Sequence, residues 1–225
     1  MMIPLLLAVL AQPAHTPAVT RSAHTGVVAE PSDTSIVRLP VRIVHDVQRL
    51  ATRVPIFTIA AGGLAAAAVR PADARTLRSL GSSASADTVF DAGDIAGRGV
   101  VQFGAAGAVY LIGRATGSHA TARLGTTLLE AQAVEGLVTQ GVKYGVRRTR
   151  PDGGHRSFPS GHASSAFATA EILRRRYGWK AGLPAYAGAA YIAISRIAER
   201  QHYLTDVVFG AAIGIAAAHT PGAVR

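Results

Sequence analysis

Four long stretches without a charged residue constrain the fold of this chain more than any other feature of its sequence. They cover residues 54–69, 99–113, 181–195 and 207–224. Runs of this length exceed an ordinary strand, and no period-two alternation of apolar and polar residues accompanies them. Residues 35–53 add apolar positions at helical spacing. The pattern therefore predicts an all-α protein, a single bundle of about six or seven helices.

The same runs bear on whether the chain crosses a membrane, because a spanning helix needs about 20 apolar residues. The first three runs have 16, 15 and 15 residues, and all four are rich in Ala and Gly. We therefore predict buried core helices in a domain that is soluble or only membrane-associated. An integral membrane protein stays open as the alternative, since tilt and bilayer thinning tolerate short spans.

The N-terminal region differs in composition from the rest of the chain. Residues 1–11 are apolar with small residues at their end, which is typical of a signal peptide or a short anchor. Residues 12–33 are rich in Pro, Thr, Ser and Ala and are expected to form a linker. The helical domain is expected to cover residues 34–220.

The composition of the chain limits the kinds of molecule that it is expected to bind. Hydrophobic residues make up 49% of the chain and charged residues 16%, which excludes a disordered protein. The formal charge of +10 suits an anionic partner. The basic residues are dispersed and no nucleic-acid-binding motif is present, so nucleic acid is not an expected partner. The absence of cysteine excludes disulfides and thiolate metal sites.

Lys143 and Arg150 carry the first chemical motif, in the segment KYGVRRTRP. Seven residues make two helical turns, so the spacing predicts that both side chains project from one helix face. Pro151 is expected to end the helix at Arg150. An arginine fork beside a lysine charge can hold the oxygens of a phosphate. Basic residues late in a helix also complement its dipole, so this motif alone leaves a structural role open.

The second motif consists of Pro159, Ser160, Gly161 and His162. Ser160 is a strong candidate for the N-cap of a following helix, and Gly161 would let a ligand approach the backbone closely. Free N–H groups at such a helix start bind anions, and His162 in the first turn would stand beside one. An ordinary capped helix start fits the same residues.

The third motif is Ser195-Arg196 followed by His202 and Asp206. Helical spacing predicts that Asp206 accepts the proton of one ring nitrogen of His202 and leaves the other nitrogen free to attack. Arg196 precedes His202 by six residues, which would place it on another face, so a helix break near residues 198–201 is predicted. A local surface hydrogen bond or half of a metal site is the alternative, although no third metal ligand is evident.

Taken together, the three motifs resemble the signature of the type 2 phosphatidic acid phosphatase and vanadium haloperoxidase superfamily. That signature reads Lys-x6-Arg-Pro, Pro-Ser-Gly-His and Ser-Arg-x5-His-x3-Asp, and every position is filled between Lys143 and Asp206. The match covers about a quarter of the chain. The resemblance implies a helical bundle with its active site at helix ends.

The resemblance also implies a role for each site residue. His202 would attack phosphorus to form a phosphohistidine, Asp206 would orient it, and His162 would protonate the leaving group and then activate water. The phosphoryl oxygens would be held by Lys143, Arg150, Ser160, Gly161 and Arg196. Three cations would supply the charge stabilisation that a metal gives elsewhere, so neither a metal nor a cofactor is expected.

The expected activity is a metal-independent hydrolysis of phosphate monoesters or pyrophosphates. Lipid phosphates such as phosphatidic acid or undecaprenyl pyrophosphate are the expected substrates, in the cell envelope, at a periplasmic or membrane-associated location. Three alternatives stay open: an acid phosphatase acting on soluble phosphomonoesters, a vanadate-dependent haloperoxidase, and a non-catalytic module that binds anions or lipids. Binding alone needs neither a nucleophile nor an acid, which argues against the last.

Overall fold

The computed structural model describes residues 34–80 and 85–222, and within these ranges it contains helices and no β-strand. The predicted all-α class is confirmed. The described residues form nine α-helices: α1 Leu39–Arg49, α2 Arg53–Val69, α3 Asp73–Leu80, α4 Ser85–Gly97, α5 Gly99–Ala115, α6 His119–Val146, α7 Gly161–Tyr177, α8 Trp179–Ala198 and α9 Leu204–Ala218. The predicted signal peptide and linker lie outside the described residues.

The helix count exceeds the predicted six or seven because two helices occupy a region that carries no long apolar run. Helix α3 follows α2 across a single 3₁₀ turn, Arg70–Ala72, which contains a proline. Helix α4 ends where Arg98 adopts an extended conformation with ψ of 130°, and α5 then leaves at an angle of 63° to residues 90–97. Helices α3 and α4 are short or polar, so apolar periodicity gave little signal for them.

The core that positions the site lies between α6, α7 and α9. Leu124 and Leu128 of α6 pack with Ile172 of α7 in one buried cluster. Small residues bring α9 directly against α7. A Cβ atom added to Gly214 of α9 would lie 2.0 Å from the carbonyl oxygen of Ser164 in α7. Helices α7 and α9, whose first turns carry parts of the second and third motifs, are therefore in direct backbone contact.

The Gly214→Ala substitution is expected to lower the free energy of unfolding by about 1–3 kcal/mol, because the added methyl group would overlap the Ser164 carbonyl. Gly104→Ala in α5 is the matched control. A Cβ there meets nothing within 4 Å, so the better helix propensity of alanine should stabilise it by up to about 1 kcal/mol. Denaturant unfolding compares the two variants, and equal stabilities would contradict the close packing.

The apolar surface of α2 departs from the prediction of buried core helices. In the stretch Arg53–Leu80, only 11% of the most apolar 18-residue segment is buried. Phe57 and Leu64 of α2 are 70% and 74% exposed. The stretch Arg53–Leu80 is long and apolar enough to cross a membrane, and the bent pair of α4 and α5 would make a second candidate. The prediction of a buried core helix is wrong for residues 54–69, because α2 continues through a 3₁₀ turn into α3 and leaves most of its apolar side chains exposed.

Candidate active site

The second and third motifs meet at the beginnings of α7 and α9. Ser160 is the N-cap of α7, as predicted, and its side chain accepts a hydrogen bond from the amide of Ala163. The amide of Ser160 in turn donates to the carbonyl oxygen of Asp206 at 2.9 Å. This backbone bond places the first turn of α7, with Gly161 and His162, beside the first turn of α9.

The first motif reaches the site by a route that the sequence analysis did not predict. Helix α6 ends at Val146, and Arg147 follows with a positive φ of 52°. Lys143 is thus helical whereas Arg150 lies in a loop, so the prediction that both project from one helix face is wrong. The chain turns earlier than Pro151 because the left-handed residue at 147 ends the helix.

Arg150 is held toward the third motif by contacts within the loops. Its Nε donates to the carbonyl oxygen of His155 at 3.1 Å, and its guanidinium also donates to the side chain of Gln201, which is adjacent to His202. Lys143 is 8% exposed, and its Nζ donates to the carbonyl oxygen of Arg156 at 2.8 Å. Burial, reinforced by the charge of Arg150, lowers the pKa of Lys143 to about 8.

His202 and Asp206 face each other in the interior. The predicted helix break is confirmed, because α8 ends at Ala198 and α9 begins at Leu204. His202 lies in this break and not on the helix, and its Nδ1 is 3.5 Å from Oδ2 of Asp206. The imidazole is only 3% exposed and Asp206 is fully buried. Burial lowers the pKa of His202, so the neutral ring required of a nucleophile is favoured.

The carboxylate of Asp206 has fixed donors on both oxygens. Its Oδ1 accepts from Nη1 of Arg148 at 2.7 Å, and its Oδ2 accepts from the Tyr203 amide at 2.9 Å and from the Ser157 hydroxyl. Burial alone would raise the pKa of Asp206, but the neighbouring imidazole and these donors outweigh it, and the pKa is lowered. Asp206 is therefore held as an anion.

Arg196 and His162 share a carboxylate that lies outside the three motifs. It belongs to Asp94, which lies inside α4. It forms an ion pair with Arg196, whose side chain is 4% exposed, and its Oδ1 is 3.3 Å from Nε2 of His162. Burial and the charge of Arg196 lower the pKa of His162 to about 4, against the opposing effect of Asp94.

Two glycines allow α4 to approach the site this closely. A Cβ on Gly97 would lie 2.8 Å from Cδ2 of His162, and one on Gly93 would lie 2.5 Å from Oγ of Ser195. Their i, i+4 spacing beside Asp94 defines a small-residue helix face next to a carboxylate. That local pattern is the signal in the sequence that could have identified α4 as part of the site.

All eight predicted site residues lie around the ends of α6, α7, α8 and α9. Charge interactions link His202 to Lys143 and Arg150, and His162 to Arg196 and His202. The arrangement sets three cations and a capped helix start around two neutral imidazoles, which suits binding of a tetrahedral oxyanion. Within residues 34–80 and 85–222, no group of three or more His, Asp or Glu side chains is arranged to hold a metal ion.

Comparison with known proteins agrees with this geometry. The family model described as the PAP2 superfamily matches residues 152–220, which contain the second and third motifs. Over this segment the chain is similar to the PAP2 superfamily. The resemblance inferred from the three motifs is thereby confirmed, and the PAP2 match ends at Thr220, two residues beyond α9.

Two curated relatives and one solved structure are similar to this chain. It is 42% identical to a lipid A 1-phosphatase of Porphyromonas gingivalis over 36% of this chain and 19% of the relative. It is 38% identical to a lipid A 4'-phosphatase of Helicobacter pylori over 36% of this chain and 49% of the relative. The chain therefore spans less than half the length of these curated relatives.

The solved structure is that of a transmembrane PAP2 type phosphatidylglycerolphosphate phosphatase from Bacillus subtilis. The match has a TM-score of 0.50 and 19% identity, and covers 81% of this chain and 92% of that one. At this identity the likeness establishes a shared helical fold. It extends beyond the segment matched by the family model to most of the helices described above.

Proposed function

We propose that this chain is a metal-independent phosphatase that hydrolyses lipid phosphates through a phosphohistidine on His202. The observation that carries the proposal is the buried pair of His202 and Asp206 beside Lys143 and Arg150. A site that only bound an anion would need the cations but not a neutral imidazole oriented by a buried carboxylate. The named activities of the lipid A phosphatase relatives support the same reaction class.

The orientation of the pair supports Nε2 of His202 as the nucleophilic atom. Nδ1 of His202 faces Asp206, so the proton resides on Nδ1 and the lone pair of Nε2 is free to attack phosphorus. As the P–N bond forms and the P–O bond to the leaving group breaks, the ring gains positive charge, which the Asp206 anion stabilises. Water then cleaves the phosphohistidine and releases phosphate.

The remaining residues act on the phosphoryl oxygens and on the leaving group. Lys143, Arg150 and Arg196 stabilise the negative charge that spreads over the equatorial oxygens in the transition state. Ser160 and the Gly161 amide bind the same oxygens at the start of α7. His162 protonates the leaving alkoxide and afterwards takes a proton from the attacking water.

Arg196 must exchange partners to take part. Asp94 and Glu199 occupy its two terminal nitrogens in the structure. A phosphoryl dianion offers a more concentrated charge than either carboxylate, and its binding would draw Arg196 and His162 from Asp94. The amide groups in the first turn of α7 bind the phosphoryl oxygens while Arg196 changes partner.

The exposed apolar surface of the molecule supports a lipid as the substrate. The exposed side chains of α2, with Val54, Ile56, Phe57 and Leu64 among them, form an apolar surface that suits contact with acyl chains. The transmembrane PAP2 structure from Bacillus subtilis shares the fold. We therefore place α2 in a bilayer and the site at the ends of the helices, where a lipid headgroup meets the aqueous phase.

A substrate panel on the purified protein tests the proposal. In detergent and with EDTA present, we expect phosphate release from lipid A, phosphatidic acid or phosphatidylglycerolphosphate to exceed release from glycerol phosphate. Orthovanadate, which adopts the pentacoordinate geometry of the transition state, should inhibit competitively. Activity that EDTA removes, or that vanadate leaves unchanged, contradicts the mechanism, and a preference for glycerol phosphate contradicts the lipid assignment.

A further inference from the structure

The carboxylate of Asp206 is fixed by a second layer of side chains that lies outside the three motifs. Arg148 donates to Oδ1 at 2.7 Å, and Ser157 donates to Oδ2 from a fully buried position. Tyr203 contributes its amide to Oδ2 as part of the cap of α9. Nδ1 of His202 lies 3.5 Å from the same Oδ2.

Arg148 is itself held on several sides. Its Nη1 also donates to Oγ1 of Thr205 at 2.6 Å, and its Nη2 donates to Oδ2 of Asp73 at 3.0 Å. The guanidinium lies 3.8 Å over the ring of Tyr203. A planar group bound by two carboxylates, a hydroxyl and an aromatic face has one orientation, so Oδ1 of Asp206 has one position.

Asp73 connects this layer to the first half of the chain. It begins α3, is 7% exposed, and accepts from the amide and the hydroxyl of Thr205 at 3.0 and 2.9 Å. Thr205 directly precedes Asp206, so α3 is bonded to the first turn of α9. Through this contact Asp73, which precedes Thr205 by 132 residues, fixes both Arg148 and the backbone that carries Asp206.

Arg148 differs in this respect from the three cations assigned to phosphate. Its terminal nitrogens point to Asp206, Thr205 and Asp73, and it meets the oxygen of Asp206 that does not face the nucleophile. Lys143 and Arg150 are the cations whose charge acts on His202. Arg148 is therefore placed to act on the carboxylate and only through it on the reaction.

We infer that Arg148 and Ser157 are positioning residues, which hold Asp206 as an oriented anion so that His202 keeps its proton on Nδ1 and attacks through Nε2. The inference rests on the proposed function. It accounts for an arginine pair in the segment RRTRP in which only the second member, Arg148, turns inward, whereas Arg147 donates to the nearby carbonyl oxygen of Tyr144.

The expected effect on pH dependence follows from the charges around the pair. Five charged or titratable groups face Asp206 and His202: Arg148 and Arg150 from the loop, Lys143 from α6, His162 from α7 and, across Arg148, Asp73 from α3. Removing the charge of Arg148 raises the pKa of Asp206 and also that of His202. Both changes protonate the pair at higher pH, so the acid limb of kcat/KM moves upward.

The test compares Arg148→Gln with the matched control Arg147→Gln in detergent-purified protein. We expect Arg148→Gln to lower kcat by about 10- to 100-fold, as for other outer partners of functional histidines. KM should change by less than about threefold, and the acid limb should move up by about one pH unit. Arg148→Lys should restore the position of the limb in part, because it keeps the charge but not the fork.

Two further variants, Asp73→Asn and Ser157→Ala, test the direction in which each side chain shifts the acid limb. Ser157→Ala removes a donor to Asp206, so its acid limb should also move upward. Asp73→Asn removes a negative charge beside Arg148 and Asp206, so its acid limb should move downward, and kcat should fall through lost orientation. These opposite shifts distinguish positioning from a general loss of structure, which lowers the amount of active enzyme and leaves the profile in place.

Three results would overturn the inference. One is an acid limb in Arg148→Gln and Ser157→Ala that coincides with that of the wild type; another is a rise in KM at constant kcat, which would make Arg148 a substrate contact. The third is an equal effect of Arg147→Gln. If Arg148→Gln does not fold, the same comparison is made with Arg148→Lys and Ser157→Ala. Full activity of His202→Ala would instead contradict the proposed function itself.

Discussion

Replacing His202 by alanine is expected to lower phosphatase turnover by about 10⁴-fold or more, because it removes the proposed nucleophile. The ring is 3% exposed and lies against Asp206, so no other side chain can take its place without rearrangement of the loop between α8 and α9. Phosphate release from a lipid phosphate in detergent measures the loss. Substrate binding should persist, since the cations remain.

Two further variants separate lost chemistry from lost structure. His202→Gln keeps most of the volume of the imidazole and a polar end, but it has no nucleophilic nitrogen, so it should be as inactive as the alanine variant. His155→Ala removes an exposed loop histidine near the site and should keep wild-type turnover. Far-UV circular dichroism should show the same helicity in all three proteins. Turnover near the wild-type level in His202→Gln would rule out a phosphohistidine on this residue.

Replacing His162 by alanine is expected to lower turnover of alkyl phosphates by about 10²- to 10⁴-fold, the range for a lost general acid. An activated ester such as p-nitrophenyl phosphate needs no proton on its leaving group, so its first step should continue. The second step, in which we propose that His162 activates water, should then be slow. We expect a burst of nitrophenol equal to the enzyme concentration and a phosphoenzyme that survives an alkaline quench.

The pH dependence of the wild-type enzyme checks the same assignment. Burial and Arg196 lower the pKa of His162 to about 4, so the free enzyme carries it neutral at pH 7. A bound phosphate dianion adds negative charge beside the ring and raises this pKa, which restores the acid form in the complex. The basic limb of kcat/KM should therefore fall at lower pH than that of kcat. Coincident limbs, or a steady state without a burst in His162→Ala, would contradict the role.

The sequence was most informative where function depends on residue type at fixed local spacing. Ser160 as an N-cap and the break between Arg196 and His202 follow from rules that act over a few residues, and both are present in the structure. The all-α class follows equally from apolar run length. The N-cap is local because its hydrogen bond joins neighbouring residues, so no knowledge of the rest of the fold is needed.

The same rules failed where backbone conformation departs from a helix. Lys143 and Arg150 were expected on one helix face, but Arg147 adopts a left-handed conformation and the loop carries Arg150 back toward Gln201. A non-glycine residue at positive φ is uncommon, and no local signal marks it. The exposed face of α2 was missed for a different reason, since composition reports apolarity and not what covers it.

By itself, the sequence determined that this chain is helical, and it predicted which residues bind and attack a phosphoryl group. The tertiary structure alone decided what surrounds them: Asp94 from α4 beside His162, and Asp73 from α3 bonded to Arg148 and to the start of α9. These contacts join residues up to 132 positions apart. Packing of whole helices creates these contacts. A pattern along a few turns of one helix contains no information about which distant helix packs against it.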